Sequence, residues 1–158
     1  MSKSLTRVKC ALAAAGLQVT VHEMPAATRT AAQAAAGAGV ALDQIVKSIL
    51  FQGVSGSLYL FLTAGGNQVD PIHARSLAGE ALTRADADTV RKITGFAIGG
   101  VAPLGHLTPV PIWMDPTLMA FAEVWAAAGT PHHIFAIAPA TLLALTNATL
   151  QPFAVQVG

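Results

Sequence analysis

Lys47 is the only charged residue between Asp43 and Asp70, and it lies inside the apolar run Ile45-Val46-Lys47-Ser48-Ile49-Leu50-Phe51. In an extended strand it shares a face with Ile45 and Ile49, so its stem passes through apolar surroundings. Its ammonium then either snorkels to solvent or opens into a pocket. In a pocket it can hold a phosphate or a carbonyl oxygen that gains charge, and desolvation lowers its pKa. A second stretch with chemical potential is TGFAIGGVAPLGH over residues 94–106, where Gly95, Gly99, Gly100 and Gly105 surround Ala102-Pro103. It reads as a short strand running into a tight loop. Its glycines either let a ligand approach main-chain N–H groups or only mark a bulge between buried strands. It is not a dinucleotide fingerprint, because Pro103 stands where the helix would have to start.

Other catalytic constellations find little support. His22, His73, His106, His132 and His133 contain no H-x-x-x-H spacing, and His132 and His133 point to opposite faces of a strand. His106, directly after the glycine loop, is the one histidine placed to line a site. No G-x-S-x-G elbow supports a serine triad, and the 8 acidic residues are scattered, several as helix caps, which gives no carboxylate pair. The single cysteine, Cys10, cannot form an internal disulfide, and its helical register predicts a small buried apolar residue rather than a nucleophile.

Composition sets the class. The chain has 158 residues, 53% apolar and 11% charged, which fits one domain over residues 1–158 and argues against disorder. No apolar run approaches the ~20 residues of a membrane span. Lys9 interrupts what otherwise imitates a signal peptide, so a cytoplasmic, soluble protein without membrane association is expected. A net charge of +1 excludes a strongly basic, duplex-coating protein, and no recognition-helix pattern points to specific DNA binding. A small local basic patch stays open.

The positioning elements follow from periodicity and caps. Leu5, Val8, Leu12 and Ala15 mark an amphipathic helix ending at Gly16, and residues 17–22 alternate as a half-buried strand. Residues 25–28 read as a loop. Thr30 and Gln33 form a capping box for an Ala-rich helix that Gly37 and Gly39 close. A helical turn at 42–44 leads to a strand at 45–51 whose two faces are both expected to be covered. After a turn at 53–57, a strand at 58–63 pairs antiparallel with it at the sheet centre. Asp70-Pro71 and Asp86 open helices closed by Gly79 and Gly95. Strands at 110–114, 123–128 and 133–137, a short helix after Asp115-Pro116, a helix at 139–145 and an edge strand in the tail at 149–156 complete the chain. Without a regular βαβ rhythm this is an α+β domain with a mixed, mainly antiparallel central sheet flanked by helices.

Together, Thr30-Ala31-Ala32-Gln33-Ala34-Ala35, Gln44-Ile45-Val46-Lys47-Ser48, the T-G-x-x-x-G-G-x-x-P-x-G run from Thr94 to Gly105, and Asp115 with Ala127-Ala128-Gly129 resemble the YbaK/prolyl-tRNA-synthetase-associated domain family. These are free-standing relatives of the editing domain of bacterial prolyl-tRNA synthetase. The resemblance implies a trans-acting, metal-independent hydrolase that cleaves the ester joining a wrong amino acid to the 3′ end of tRNA, with no cofactor. Lys47 matches the family's central lysine as the catalytic residue. Gly99, Gly100, Val101, Ala102, Pro103 and Gly105 match its substrate-cradling loop. Thr30, Ser48, His106 and Gly129 complete the candidate substrate-binding set. Ser48 stands where relatives often carry asparagine or threonine, and Ala127 where serine is frequent, departures that bear on which amino acid is accepted. The implied partner is a tRNA acceptor end carrying an amino acid; a partner synthetase, and a monomer or a homodimer, all remain open. A non-catalytic module that binds aminoacyl-tRNA or a protein through the same pocket is the alternative.

Overall fold

The computed structural model describes residues 2–25 and 30–156. Ala26, Ala27 and Thr28 of the expected loop lie outside them. Helix α1 (Lys3–Ala14) is capped by Ser2, whose hydroxyl accepts from Leu5 N, and it buries Leu5, Val8 and Leu12. Strand β1 (Val21–Glu23) follows later than the alternation at 17–22 predicts. Helix α2 (Ala31–Ala38) starts at the Thr30–Gln33 capping box and ends at Gly39, with Gly37 inside it. A 3-10 turn at Leu42–Gln44 delivers the chain into β2 (Val46–Gly53), which pairs antiparallel with β3 (Leu58–Ala64) in the register Lys47↔Thr63 and Ile49↔Phe61.

The remaining elements pack around this hairpin. They are β4 (Asn67–Val69), α3 (Pro71–Ala78), β5 (Leu82–Arg84), α4 (Ala87–Thr94), β6 (Ile112–Met114), a 3-10 helix at Pro116–Ala120, β7 (Val124–Ala127), β8 (His133–Ile137), α5 (Pro139–Thr146), β9 (Thr149–Leu150) and β10 (Ala154–Gln156). Asp70, Asp86 and Asp115 each cap the element that follows, as their sequence contexts predict. A five-stranded sheet has the order β5-β2-β3-β6-β9; β1-β8-β7 and β10-β4 form two smaller antiparallel sheets. β6 and β9 run parallel to their neighbours, which makes the large sheet mixed and the architecture α+β.

Strand β3, not β2, has both faces covered. Leu58, Leu60 and Leu62 enter the main core with Leu5, Val8, Leu12, Val90 and Phe135, while Phe61 packs on the other face with Ala74 and Phe153. Phe61 also stacks on Trp113 at 5.1 Å between ring centroids. Most of β2 is only half-buried. Three further expectations change. Residues 95–106 contain no strand, and the tail contributes two short strands to different sheets rather than one edge strand. Cys10 is exposed: it lies two positions past Val8, about 200° around the helix and therefore opposite the buried stripe. Among the described residues no helix is long and apolar enough to cross a membrane.

Candidate active site

β2 pairs with β3 along its whole length, but its other edge is paired with β5 only from Phe51 to Gly53. At the opposite end Ile45 makes a single parallel bridge to Trp125 of β7. Between those contacts no strand among the described residues covers residues 46–50. A cavity of about 750 Å3 opens there, lined by residues 45–50 and by parts of α2, β7, α4 and the glycine loop. Its walls are mostly Ala, Ile, Leu and Val, with Trp125 on one side.

Lys47 lines this cavity and donates from Nζ to the backbone oxygen of Asn67. The turn that presents this carbonyl is held by two carboxylates. Asp115, buried at 2% exposure, accepts at Oδ2 from Ala64 N at 3.1 Å and Asn67 Nδ2 at 2.8 Å, and at Oδ1 from Thr117 N at 2.9 Å. Asp43 accepts from Gly66 N at 2.7 Å. Burial pushes the Lys47 pKa below the usual lysine range, and the charges of Asp115 and Asp43 oppose that shift. Asn67, Asp43 and Asp115 were not singled out as site residues by the sequence reading. Asp115 carries a cap-plus-proline signal and a place in the family resemblance, neither of which assigns it a site role, and Asn67 carries no signal.

The cavity brings together Thr30, Lys47, Ser48, Gly99 and Val101. Among the described residues the buried Ser48 hydroxyl has no hydrogen-bond partner, and neither has the buried Trp125 indole N–H. Gly99 adopts a φ of +93° at an exposed turn beside Ile98. The other candidates stand behind this surface. Gly100 is buried against the chain, and a Cβ there would come within 2.8 Å of the Thr130 backbone. Ala102 and Pro103 are buried, and Gly129 packs against the backbone of Ser4. His106 shares a hydrogen bond with Ala102 O at 2.8 Å and meets the Phe96 ring edge-on at 5.8 Å, so it braces the loop from within.

Arg7 of α1 fastens the same loop at both ends, a feature that no motif announces. Its Nε donates to Gly105 O at 2.7 Å and its Nη2 to Gly95 O at 2.8 Å, with the guanidinium 4.6 Å from the Phe96 ring centroid. Gly95, at φ +83°, adopts a left-handed conformation that favours glycine, and a Cβ there would also stand 2.4 Å from Nη2 and displace the guanidinium.

Residues 25–145, which span α2, the open edge of β2, Lys47 and the glycine loop, match the aminoacyl-tRNA editing domain family. The chain belongs to that family. The chain is similar to the Bacillus subtilis protein YwhH, itself uncharacterized, with 30% identity over 77% of this chain and 78% of that protein. The proline–tRNA ligase of Bacillus licheniformis is 31% identical over 66% of this chain, which there corresponds to only 18% of the ligase. A crystal structure described, provisionally, as a trans-editing enzyme for prolyl tRNA synthetase superposes with a TM-score of 0.91 at 46% identity, covering 100% of this chain and 99% of that one. The editing-domain match leaves out the whole of α1, so the Arg7 clamp comes from outside the matched segment.

Proposed function

We propose that this protein hydrolyses the ester of a mischarged aminoacyl-tRNA in trans, acting as a proofreading deacylase for the prolyl system. The observation that carries the reading is an ammonium, Lys47, entering a largely apolar cavity along an unpaired strand edge in an editing-domain chain. The ester carbonyl lies near Lys47, and water adds to its carbon. The carbonyl oxygen becomes an oxyanion, which the ammonium and main-chain N–H groups of the cavity wall stabilise. Collapse of this intermediate breaks the bond to the ribose oxygen, which takes up a proton. The products are a free amino acid and a tRNA with its terminal hydroxyl restored. The ribose hydroxyl adjacent to the ester helps to orient or deprotonate the water, a role that asks for no protein base. Positioning of both reactants by the cavity supplies the remainder.

The relative described as serving prolyl tRNA synthetase points to proline tRNA as the first carrier to test. Purified protein incubated with proline tRNA charged with a panel of amino acids should release at least one of them with many turnovers per molecule. Lys47→Ala should lower this activity by roughly 10²-fold. Release limited to one equivalent would identify a binding module instead, and no release from any charged tRNA would overturn the deacylase reading.

A further inference from the structure

Arg84 ends β5, is exposed, and lines the same cavity as Lys47. Among the described residues these two are the only charged ones on the cavity wall, and both are cations. They differ in how they are engaged. Lys47 is committed to Asn67 O and lies under the influence of Asp115 and Asp43. The Arg84 guanidinium has no hydrogen-bond or carboxylate partner among the described residues.

The register fixes their relation. Arg84 stands opposite Phe51 in the antiparallel β2–β5 pair, and residues directly opposite project to one face. Side chains 47, 49 and 51 share that face by the two-residue period of a strand. Four residues of β2 separate the two cations along the strand, roughly 13 Å at ~3.3 Å per residue. With Lys47 engaged on Asn67 O, the two cations offer separate points of contact. A chain that enters at Arg84 and ends at Lys47 can meet each in turn.

We propose that Arg84 binds a backbone phosphate of the RNA strand that leads into the cavity, behind the terminal nucleoside. This rests on the aminoacyl-tRNA reading of the site. In an aminoacyl ester the amino acid's carboxylate is consumed and its α-amino group is cationic, so the substrate's anions are its phosphodiesters. A guanidinium offers its planar fork of donors to a phosphate and repels the amino group. The aminoacyl end is thereby directed away from Arg84 and toward Lys47. With a net charge of only +1 the chain as a whole attracts RNA weakly, so a cation placed on the cavity wall contributes to the orientation.

Two non-hydrolysable probes separate the outcomes: an acceptor-stem hairpin RNA with its amino acid joined through a 3′-amide, and the corresponding 3′-aminoacylamino-adenosine, which has no phosphate. For Arg84→Ala, hairpin affinity at ~0.1 M salt should fall about five- to tenfold, and the log Kd against log salt slope should shrink by about 0.7. Adenosine-probe affinity should stay within twofold of wild type. Arg84→Lys should keep the slope, and Arg84→Glu should weaken hairpin binding further. The exposed position on a short outer strand keeps the melting temperature unchanged in all three. An Arg84→Ala protein with wild-type hairpin affinity and slope overturns the proposal while leaving the site reading standing. Equal loss on both probes also overturns it, because the arginine then acts on the nucleoside. If the wild-type protein binds neither probe, the aminoacyl-tRNA reading itself has failed and the phosphate contact falls with it.

Discussion

Replacing Arg7 by alanine removes the tie between α1 and the two ends of the glycine loop. The side chain makes two hydrogen bonds from a charged donor, at 2.7 and 2.8 Å, to Gly105 O and Gly95 O, both residues being half-buried. Such bonds contribute ~1.5–3 kcal/mol each, and the lower end applies where water can rehydrate the freed carbonyls. The guanidinium lies 4.6 Å from the centroid of the buried Phe96 ring, a contact that adds roughly 0.5–1 kcal/mol. Allowing for the rotamer freedom that alanine releases, the net loss is about 3 kcal/mol. For a chain of this size that is a fall of roughly 6–12 °C in melting temperature. Arg7→Lys should recover only part of this, since one ammonium cannot meet both carbonyls with the fork's geometry. Because Gly99 and Val101 of the same loop line the cavity, the alanine variant should also show a raised KM with a smaller change in kcat. The assay is thermal unfolding beside steady-state deacylation. A destabilisation below ~0.5 kcal/mol, the level of ordinary surface substitutions, would refute the clamp.

Lys47→Ala should lower turnover by roughly 10²-fold, as for loss of one oxyanion donor, while leaving the protein folded; normal hydrolysis in the variant would remove Lys47 from the mechanism. Wild-type activity should decline with rising pH before the ordinary lysine range, because burial lowers the Lys47 pKa and the protonated form is the active one. Gly100→Val should reduce stability first, since its Cβ meets the Thr130 backbone at 2.8 Å; a variant that melts like the parent but binds substrate poorly would place Gly100 at the ligand instead. His106 has its pKa lowered by burial, with the Ala102 hydrogen bond opposing and Arg7 reinforcing the shift, so the unfolded chain takes up a proton near pH ~6.5 that the folded chain refuses. Stability should therefore fall as pH drops below that value, and His106→Gln should flatten this component; identical pH dependence of melting in the two proteins would exclude it.

What could be read from the sequence was what local chemistry decides. The Thr30–Gln33 box, Asp70-Pro71 with Gly79, Asp86 with Gly95 and Asp115-Pro116 all cap the elements expected of them, because a cap is settled by residues within one turn. Three-residue strands such as β4 and β5 escaped notice because they exist only through their partners, Ala154–Gln156 and Phe51–Gly53. The loop over 94–106 imitates a strand for a related reason. Phe96, Val101 and Ala102 are apolar because they enter the main core, and no ladder is needed to bury them. Lys47 could be noticed as a charge in an apolar run. Its surroundings could not, since long-range pairing brings Asn67 and Asp115 to it, and Arg84 to the same cavity.

That surrounding network explains how a lysine comes to be usable in an apolar cavity. Burial alone favours the neutral amine, which could neither hold a phosphate nor stabilise an oxyanion. Asp115 and Asp43 counter this without entering the cavity wall: both Asp115 oxygens accept, from Ala64 N, Asn67 Nδ2 and Thr117 N, and Asp43 Oδ1 accepts from Gly66 N. The same bonds fix the turn whose carbonyl, that of Asn67, receives the ammonium. Two carboxylates thus fix the turn that receives Lys47 and oppose the loss of its charge, while their hydrogen bonds hold them on that turn. The open edge of β2 completes the arrangement: a strand paired there would bury residues 46–50 and close the cavity onto which Lys47 faces.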